Sequence, residues 1–149
     1  MNGTSYFHVG MVVEKIGPAL EQLSELAGYT WQTPMTVPVP VRDAQGKEYT
    51  VEITMVYSNE APYLEVIEGI PGTPWAHDPN GSNLHHLGFA VEDTAASGAH
   101  AATCGCPLEV GSLGEDGEFP TTFSYHRGMG IRIEMVQAMA AAAMTGNLG

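Results

Sequence analysis

The chain contains two pairs of repeated strand-like segments, and each pair preserves a residue type that commonly binds metal ions. Residues 6–14 (YFHVGMVVE) return as residues 85–92 (HHLGFAVE), so that His8 aligns with His86. Residues 63–68 (YLEVIE) return as residues 132–137 (RIEMVQ), so that Glu65 aligns with Glu134. Two imidazoles and two carboxylates, brought together by such a duplication, form a site for a divalent metal ion.

Hydrophobic and turn residues follow the same order in both halves of the 149-residue chain. In each half this pattern predicts a strand, a helix and three further strands. We therefore predict a single α+β domain over residues 1–149, built from two tandem βαβββ modules whose sheets curl around a central metal-binding trough. The modules span about 5–69 and about 84–137. The linker loop 69–83 joins them, and the alanine-rich tail 138–149 is expected to begin as a helix and to fray at its end.

The alternation of side chains along a strand predicts which way each candidate ligand points. In the first strand Phe7, Val9 and Met11 share one face, which we expect to pack on the first helix, so His8 points to the other face. The same pattern turns Glu65, His86 and Glu134 into the trough. It turns His85, the alternative ligand beside His86, toward the helices.

Imidazole nitrogens and carboxylate oxygens are borderline-to-hard ligands, and a set of two of each suits an octahedral ion. We predict a divalent metal cofactor, Co, Ni, Zn, Mn or Fe, held by four residues: His8, Glu65, His86 and Glu134. Two positions stay open for water or a chelating substrate. An ion with open positions polarises a carbonyl and stabilises the enolate formed when the neighbouring carbon loses its proton.

A fifth carboxylate, Glu52, is the candidate general base. The odd-numbered residues from Tyr49 to Met55 form an apolar stripe, which we expect to lie against the helix. That orientation places Glu52 on the trough face, where partial burial near other carboxylates raises the pKa of a glutamate toward neutrality. The competing interpretation is a solvated carboxylate or one paired with Arg132. Both stay open.

Charge and composition limit the possible partners and the compartment. Seventeen acidic residues against five basic ones give a net charge of −12, which leaves no basic face for nucleic acid. The same shortage of cations argues against a highly anionic substrate. With no apolar run of about 20 residues and no signal-like N-terminus, we expect a cytoplasmic protein that does not enter membranes. Cys104 and Cys106 are separated by one residue and are expected to stay reduced.

Three segments carry a resemblance to a known family: Phe7-His8-Val9-Gly10, Leu84-His85-His86-Leu87-Gly88-Phe89 and Ile133-Glu134-Met135. They resemble the vicinal oxygen chelate superfamily, also called the glyoxalase/bleomycin-resistance/dioxygenase fold. Within it the chain is most similar to the methylmalonyl-CoA epimerase branch, which shares the Leu-His-His stretch, the helix beginning at Ala19-Leu20 and a strand like Val51-Glu52-Ile53.

This resemblance implies roles for individual residues. The positions of His8, Glu65, His86 and Glu134 bind the metal in the epimerase branch, where the second of them is a Gln. A Glu at the position of Glu52 works there with a second carboxylate as an acid/base pair, and we expect Glu52 and Glu134 to be catalytic. Having Glu65 in place of the Gln restores the His/Glu/His/Glu set of bacterial glyoxalase I.

These expectations define four candidate functions for a small-molecule site. The first is a metal-dependent isomerase or epimerase that abstracts a proton next to a carbonyl. The alternatives are a glyoxalase I-type lyase, an iron dioxygenase, disfavoured because Glu65 occupies a position that oxygen needs, and a non-catalytic binding or resistance protein. We expect a homodimer, in which the paired modules come from one chain or are exchanged between chains.

Overall fold

The computed structural model describes residues 4–146. Eight strands and three helices follow one another in the order β1 (Ser5–Val13), α1 (Ile16–Ala27), β2 (Met35–Asp43), β3 (Glu48–Tyr57), β4 (Tyr63–Glu68), β5 (Leu84–Val91), α2 (Thr94–Thr103), β6 (Leu108–Ser112), β7 (Phe123–Gly128), β8 (Ile131–Gln137) and α3 (Ala138–Met144).

The strands close into one barrel in the order β1-β4-β3-β2-β6-β7-β8-β5. Each half has the same connectivity, because the first strand pairs in parallel with the fourth in both (β1 with β4, β5 with β8). The antiparallel pairs β1–β5 and β2–β6 join the halves. The predicted α+β fold of two βαβββ modules is therefore confirmed. The sheets, which were expected to form a trough, close into a barrel.

The order of the strands puts all four ligand-bearing strands side by side, as β4-β1-β5-β8. Because both pairs that join the modules form within one chain, no module exchange is needed to bring the ligand strands together. The homodimer stays a prediction.

The pairing of β1 with β5 contains two irregularities, one beside each histidine of the repeat. Tyr6 pairs with Phe89 and His8 with Gly88, which leaves Phe7 as an extra residue on β1. On the other strand His85 is the extra residue, since Gly10 pairs with His86 and Met11 with Leu84. An extra residue of this kind bends a strand and interrupts the alternation of its side chains.

The barrel interior holds the main apolar core. The odd-numbered residues of β2 and β3 supply much of it, including Val41, Val51 and Ile53. Trp75 enters this core from the loop between the modules and is fully buried. Burying this indole stabilises the fold by roughly 2–3 kcal/mol on the scale of a large core side chain.

A second, smaller cluster lies under α1 on the outside of the barrel. It contains Val13, Val56 and Val66, with Leu20 and Leu23 of the helix packed against it. Phe7, Val9 and Met11, which were expected under this helix, are only partly buried on the outer face of β1. The helix instead packs mainly over β4.

The tail begins as the predicted helix, since α3 spans Ala138–Met144. The Gln32 amide donates a hydrogen bond to the Met144 carbonyl at 2.8 Å, and the Tyr57 hydroxyl donates to the Met144 sulfur at 3.4 Å. These contacts fix α3 across one end of the barrel. The fraying expected for the last residues lies outside the described part of the chain.

None of the helices within residues 4–146 combines the length and the apolar character that a membrane crossing requires.

Candidate metal centre

Four side chains predicted as ligands converge inside the barrel. The Nε2 atoms of His8 and His86 are 2.7 Å apart. The Glu65 Oε2 atom lies 3.3 Å from His8 Nε2 and 3.1 Å from His86 Nε2, and the Glu134 Oε2 atom lies 3.2 Å from each. All four residues are buried, with 5% exposure or less. The structure thus brings together the four residues that the repeat singled out.

This geometry fits a shared ion. Atoms bound to one ion at about 2.0–2.2 Å, with an angle of about 90–110° between them, lie about 2.8–3.6 Å apart. Five of the separations among the four atoms are 2.7–3.3 Å, close to that range. The two Oε2 atoms are buried and have no hydrogen-bond partner. Buried carboxylate oxygens without a partner are costly, and an ion would satisfy both.

Glycines on the neighbouring strands make room for the imidazoles. His86 pairs with Gly10 across β1 and β5, and His8 pairs with Gly88. A Cβ atom at Gly10 would overlap the His86 ring, and one at Gly88 would overlap the His8 ring. No role was predicted for these glycines, although the repeated His-x-Gly spacing was the signal for it. Each half thus supplies a histidine and the space for the other half's histidine.

His85 lies behind His86, not toward the helices. Its Nδ1 is 2.9 Å from His86 Nδ1, and its Nε2 is 2.7 Å from the Pro74 carbonyl oxygen. If His86 Nε2 binds a metal, His86 Nδ1–H must donate to His85 Nδ1, and His85 Nε2–H donates to Pro74. The predicted orientation of His85 was wrong because the extra residue in β5 interrupts the alternation.

The orientation predicted for Glu52 was also wrong. Its neighbours Val51 and Ile53 are buried in the barrel interior, while Glu52 is exposed on the outer face, paired in register with Pro38. The apolar stripe of β3 faces the interior and not a helix. Since the barrel interior is itself apolar, the stripe alone does not distinguish the two faces. Glu134, the other predicted catalytic residue, is in the centre.

The buried charges shift the pKa values of the cluster strongly. Burial by itself would lower the pKa of His8, but its interactions with the Glu134 and Glu65 carboxylates outweigh burial and raise the pKa from 6.5 to about 9. The pKa of His86 is raised for the same reasons. Burial would raise the pKa values of both carboxyl groups, but the two imidazoles lower them, which favours the ionised form.

Comparison with known proteins agrees with this architecture. The model of the Glyoxalase/Bleomycin resistance protein/Dioxygenase superfamily matches residues 7–125. The chain belongs to this superfamily. The resemblance inferred from its His-containing segments is therefore confirmed. A search of curated protein sequences finds no significant match.

Solved structures of epimerases share the fold of this superfamily member. A variant of Streptomyces coelicolor methylmalonyl-CoA epimerase in complex with 2-nitronate-propionyl-CoA superposes with a TM-score of 0.62 at 16% identity, covering 91% of this chain and 96% of that one. The Mycobacterium tuberculosis methylmalonyl-CoA epimerase superposes with a TM-score of 0.56 at 19% identity, and the match covers 93% of this chain and 92% of that one. A hypothetical protein from Bacillus halodurans superposes with a TM-score of 0.59 at 12% identity, and the match covers 91% of this chain and 94% of that one. At these identities the similarity shows the fold alone.

Two tyrosines occupy matching places beside the carboxylates in the two halves. Tyr57 pairs with Glu65, and Tyr125 pairs with Glu134. Both are buried, which raises the pKa of each phenol well above its usual value and keeps the hydroxyl protonated. The Trp75 indole N–H donates to the Tyr125 hydroxyl oxygen at 3.2 Å, so the Tyr125 proton is directed elsewhere. The repeated segments that identify the four ligands include neither tyrosine.

A cavity of about 310 Å³ leads to the centre. Its walls are mainly apolar and include Val37, Val39, Ile53, Met55, Leu113 and Phe123. Both Glu65 and Glu134 reach it, together with Trp75 and Tyr125. In this superfamily member, a small molecule in the cavity would therefore meet the carboxylates that border the candidate metal centre.

Proposed function

We propose that this chain is a metal-dependent isomerase or epimerase that removes a proton from the carbon next to a carbonyl. The observation that carries the proposal is the buried two-His, two-Glu cluster, whose carboxylates line a cavity of small-molecule size. A buried cluster of coupled ionisable groups at the end of a cavity is typical of an active site.

The proposed metal ligands are His8, Glu65, His86 and Glu134, and the ion is divalent: Co, Ni, Zn, Mn or Fe. When bound, such an ion polarises the substrate carbonyl and lowers the energy of the enolate. The protein's own side chains remove and return the proton.

Glu134 is the proposed base. Its carboxylate accepts the proton from the carbon next to the carbonyl. The electron pair of the broken C–H bond moves into the new carbon–carbon double bond, and the carbonyl electrons move to oxygen. Return of the proton to the opposite face of that carbon gives the epimer, and return to a neighbouring atom gives the isomer.

Glu65 is the proposed partner for proton return. It is carried by β4 and Glu134 by β8, so the two carboxylates approach the cavity from opposite modules. Inversion of a carbon centre needs groups on both faces, and we propose that the two carboxylates take these two roles. Glu52 lies on the outer face of β3 and has no part in the proposed chemistry.

Proton exchange in deuterated water tests this function. Metal-loaded protein is incubated with a panel of 2-oxo acids, 2-hydroxy ketones and acyl thioesters, and deuterium at the carbon next to the carbonyl is measured by NMR. We expect exchange with at least one class, lost in Glu134→Gln and retained in Glu52→Gln. Absence of exchange across the whole panel with metal-loaded protein would contradict the proposal.

A glyoxalase-type lyase is the second candidate, and Glu65 is the residue that favours it. It completes the four-ligand set which the resemblance associates with bacterial glyoxalase I. Turnover of the methylglyoxal adducts of several thiols distinguishes the two candidates, since a lyase depends on the thiol and an epimerase does not act on these adducts.

A further inference from the structure

The charges around the cavity at the candidate metal centre limit which molecules it can bind. The following inference rests on the proposed function. We propose that its substrate is a small, uncharged and largely apolar molecule that presents one or two oxygen atoms to the metal. An acyl-CoA or a glutathione adduct is not its substrate.

Cations are absent from the cavity walls in the described part of the chain. The chain has five Lys and Arg residues, all within the described part, and none lines the cavity. Three are held in ion pairs: Lys15 with Glu68, Arg42 with Glu48 and Arg132 with Glu109. Anionic groups of a substrate would need such cations to be freed, at the cost of the existing pairs.

The two remaining cations are also poorly placed. Lys47 lies over the ring of Tyr49, 5.4 Å from its centre. Arg127 is exposed and borders a separate cavity of about 120 Å³ behind His85 and His86. Neither Glu65 nor Glu134 is among the residues that line this smaller cavity, so a molecule held there would not meet the proposed acid and base.

The charge balance of the centre itself also disfavours a bound anion. A divalent ion brings two positive charges, and the ionised carboxylates of Glu65 and Glu134 bring two negative ones. With neutral histidines the loaded centre has no net charge. A bound anion would then be buried without net compensation in a chain whose formal charge is −12.

The lining of the cavity also favours a neutral molecule. Apolar side chains form most of the walls. The hydroxyl of Ser112, a polar wall residue, accepts hydrogen bonds from the backbone N–H groups of Thr122 and Phe123 and shares one with the Thr121 hydroxyl. The Tyr125 hydroxyl also lines the cavity, and its oxygen accepts from Trp75 while its proton is directed elsewhere. Neutral hydroxyl donors in an apolar cavity suit a neutral oxygen, such as that of a ketone or alcohol.

Calorimetric titrations of the full Co(II)-loaded chain test this inference. The probes are 2-hydroxyacetophenone, which is uncharged and carries a phenyl group, hydroxyacetone, which has a methyl group in its place, mandelate, which is a phenyl-bearing anion, and propionyl-CoA. We expect 2-hydroxyacetophenone to bind at least about tenfold more tightly than hydroxyacetone, because burial of the larger apolar group is favourable. Mandelate and propionyl-CoA should bind more weakly than 2-hydroxyacetophenone.

Two wall variants and one matched control connect the preference to this cavity. Leu113→Ser and the nearly isosteric Val39→Thr should each reduce the preference for the phenyl probe by about threefold or more. Leu26→Ser, on the exposed surface of α1, should leave it unchanged. Tighter binding of mandelate or propionyl-CoA, or a phenyl preference that neither wall variant alters, would overturn the inference.

Failure of the proposed function has a different signature. If elemental analysis shows that the protein takes up no metal, the metal-dependent function is excluded. The same titrations on the metal-free chain then decide the substrate class, since the apolar walls remain. If metal is bound and the anionic probes bind most tightly, the inference fails while the proposed function stands.

Discussion

The imidazole of His86 lies against the backbone of Gly10, at a point where any side chain on residue 10 would overlap the ring. The same relationship joins His8 to Gly88. Because β1 and β5 pair antiparallel, each histidine of the repeat sits over the glycine two residues beyond the other. The candidate metal centre therefore depends on two residues that have no side chain.

Gly10→Ala should displace the His86 ring and weaken metal binding by about 10–100-fold, the range seen when ligand orientation is disturbed. The overlap should also destabilise the fold by about 1–3 kcal/mol. Metal titration and thermal unfolding measure the two effects. Gly17→Ala is the matched control, since a Cβ atom there meets nothing within 4 Å. Equal metal affinity in the two variants would contradict the proposed fit.

Glu134→Gln and Glu52→Gln make the same chemical change at the two carboxylates predicted to be catalytic. Glu134 is buried in the centre and Glu52 is exposed on the outer face. We expect the first variant to lose metal affinity by about tenfold or more, since a negative ligand becomes neutral, and the second to retain it. Elemental analysis after dialysis gives the measurement. A loss of metal in Glu52→Gln would show that the outer face contributes to the site.

His85→Leu should reduce metal affinity by about tenfold, because His86 Nδ1 loses the acceptor that orients its ring. His85→Gln should restore much of the affinity, since an amide both accepts from His86 and donates to the Pro74 carbonyl. The visible absorption of the Co(II)-loaded protein reports the altered geometry directly. His100→Gln, on α2, is the control. If the Leu and Gln variants behave alike, His85 only fills space.

Metal affinity should depend on pH through His8. Its pKa of about 9 means that metal binding at neutral pH displaces a proton. Affinity should rise about tenfold per pH unit between about pH 7 and 9 and level off above that range. Calorimetry in buffers of different ionisation enthalpy counts the released proton. Affinity independent of pH in this range would mean that no proton occupies the metal-free cluster.

The metal-free protein should show the opposite trend in stability. The pKa of His8 is raised above its unfolded value of 6.5, so its stabilising contribution is fully present below about pH 6.5 and is lost as the pH rises toward 9. Denaturant unfolding at pH 6.5 and at pH 9 should therefore give a lower free energy of unfolding at the higher pH. His8→Gln should flatten this dependence, and an unchanged slope in that variant would assign it to other groups.

The four proposed ligands could be predicted because the repeat marks equivalent positions, and because equivalent positions in duplicated modules meet around a common axis. The alternation of β1, β4 and β8 held at His8, Glu65 and Glu134. It failed at His85, where an extra residue in β5 changes the side to which the chain points. A bulge depends on pairing with a distant strand, so the local pattern does not reveal it.

The orientation of Glu52 could not be predicted for a different reason. Alternation correctly separates Glu52 from Val51 and Ile53, but it does not say which of the two faces is the interior. An apolar stripe packs equally well under a helix or inside a barrel, and which of the two it does depends on how the sheet closes. The burial of Trp75 also depends on the tertiary structure, because a loop without periodicity does not indicate that its indole enters the core.

The sequence by itself determined the duplicated modules, the types of ligand and their equivalence, because these properties are carried by residue identity and spacing. Only the tertiary structure decided that the barrel closes within one chain, that Gly10 and Gly88 make room for the imidazoles, and that Glu52 faces outward. Each of these depends on contacts between strands far apart in the sequence. Local periodicity fixes the relative direction of side chains, and the closure of the sheet fixes which direction is inside.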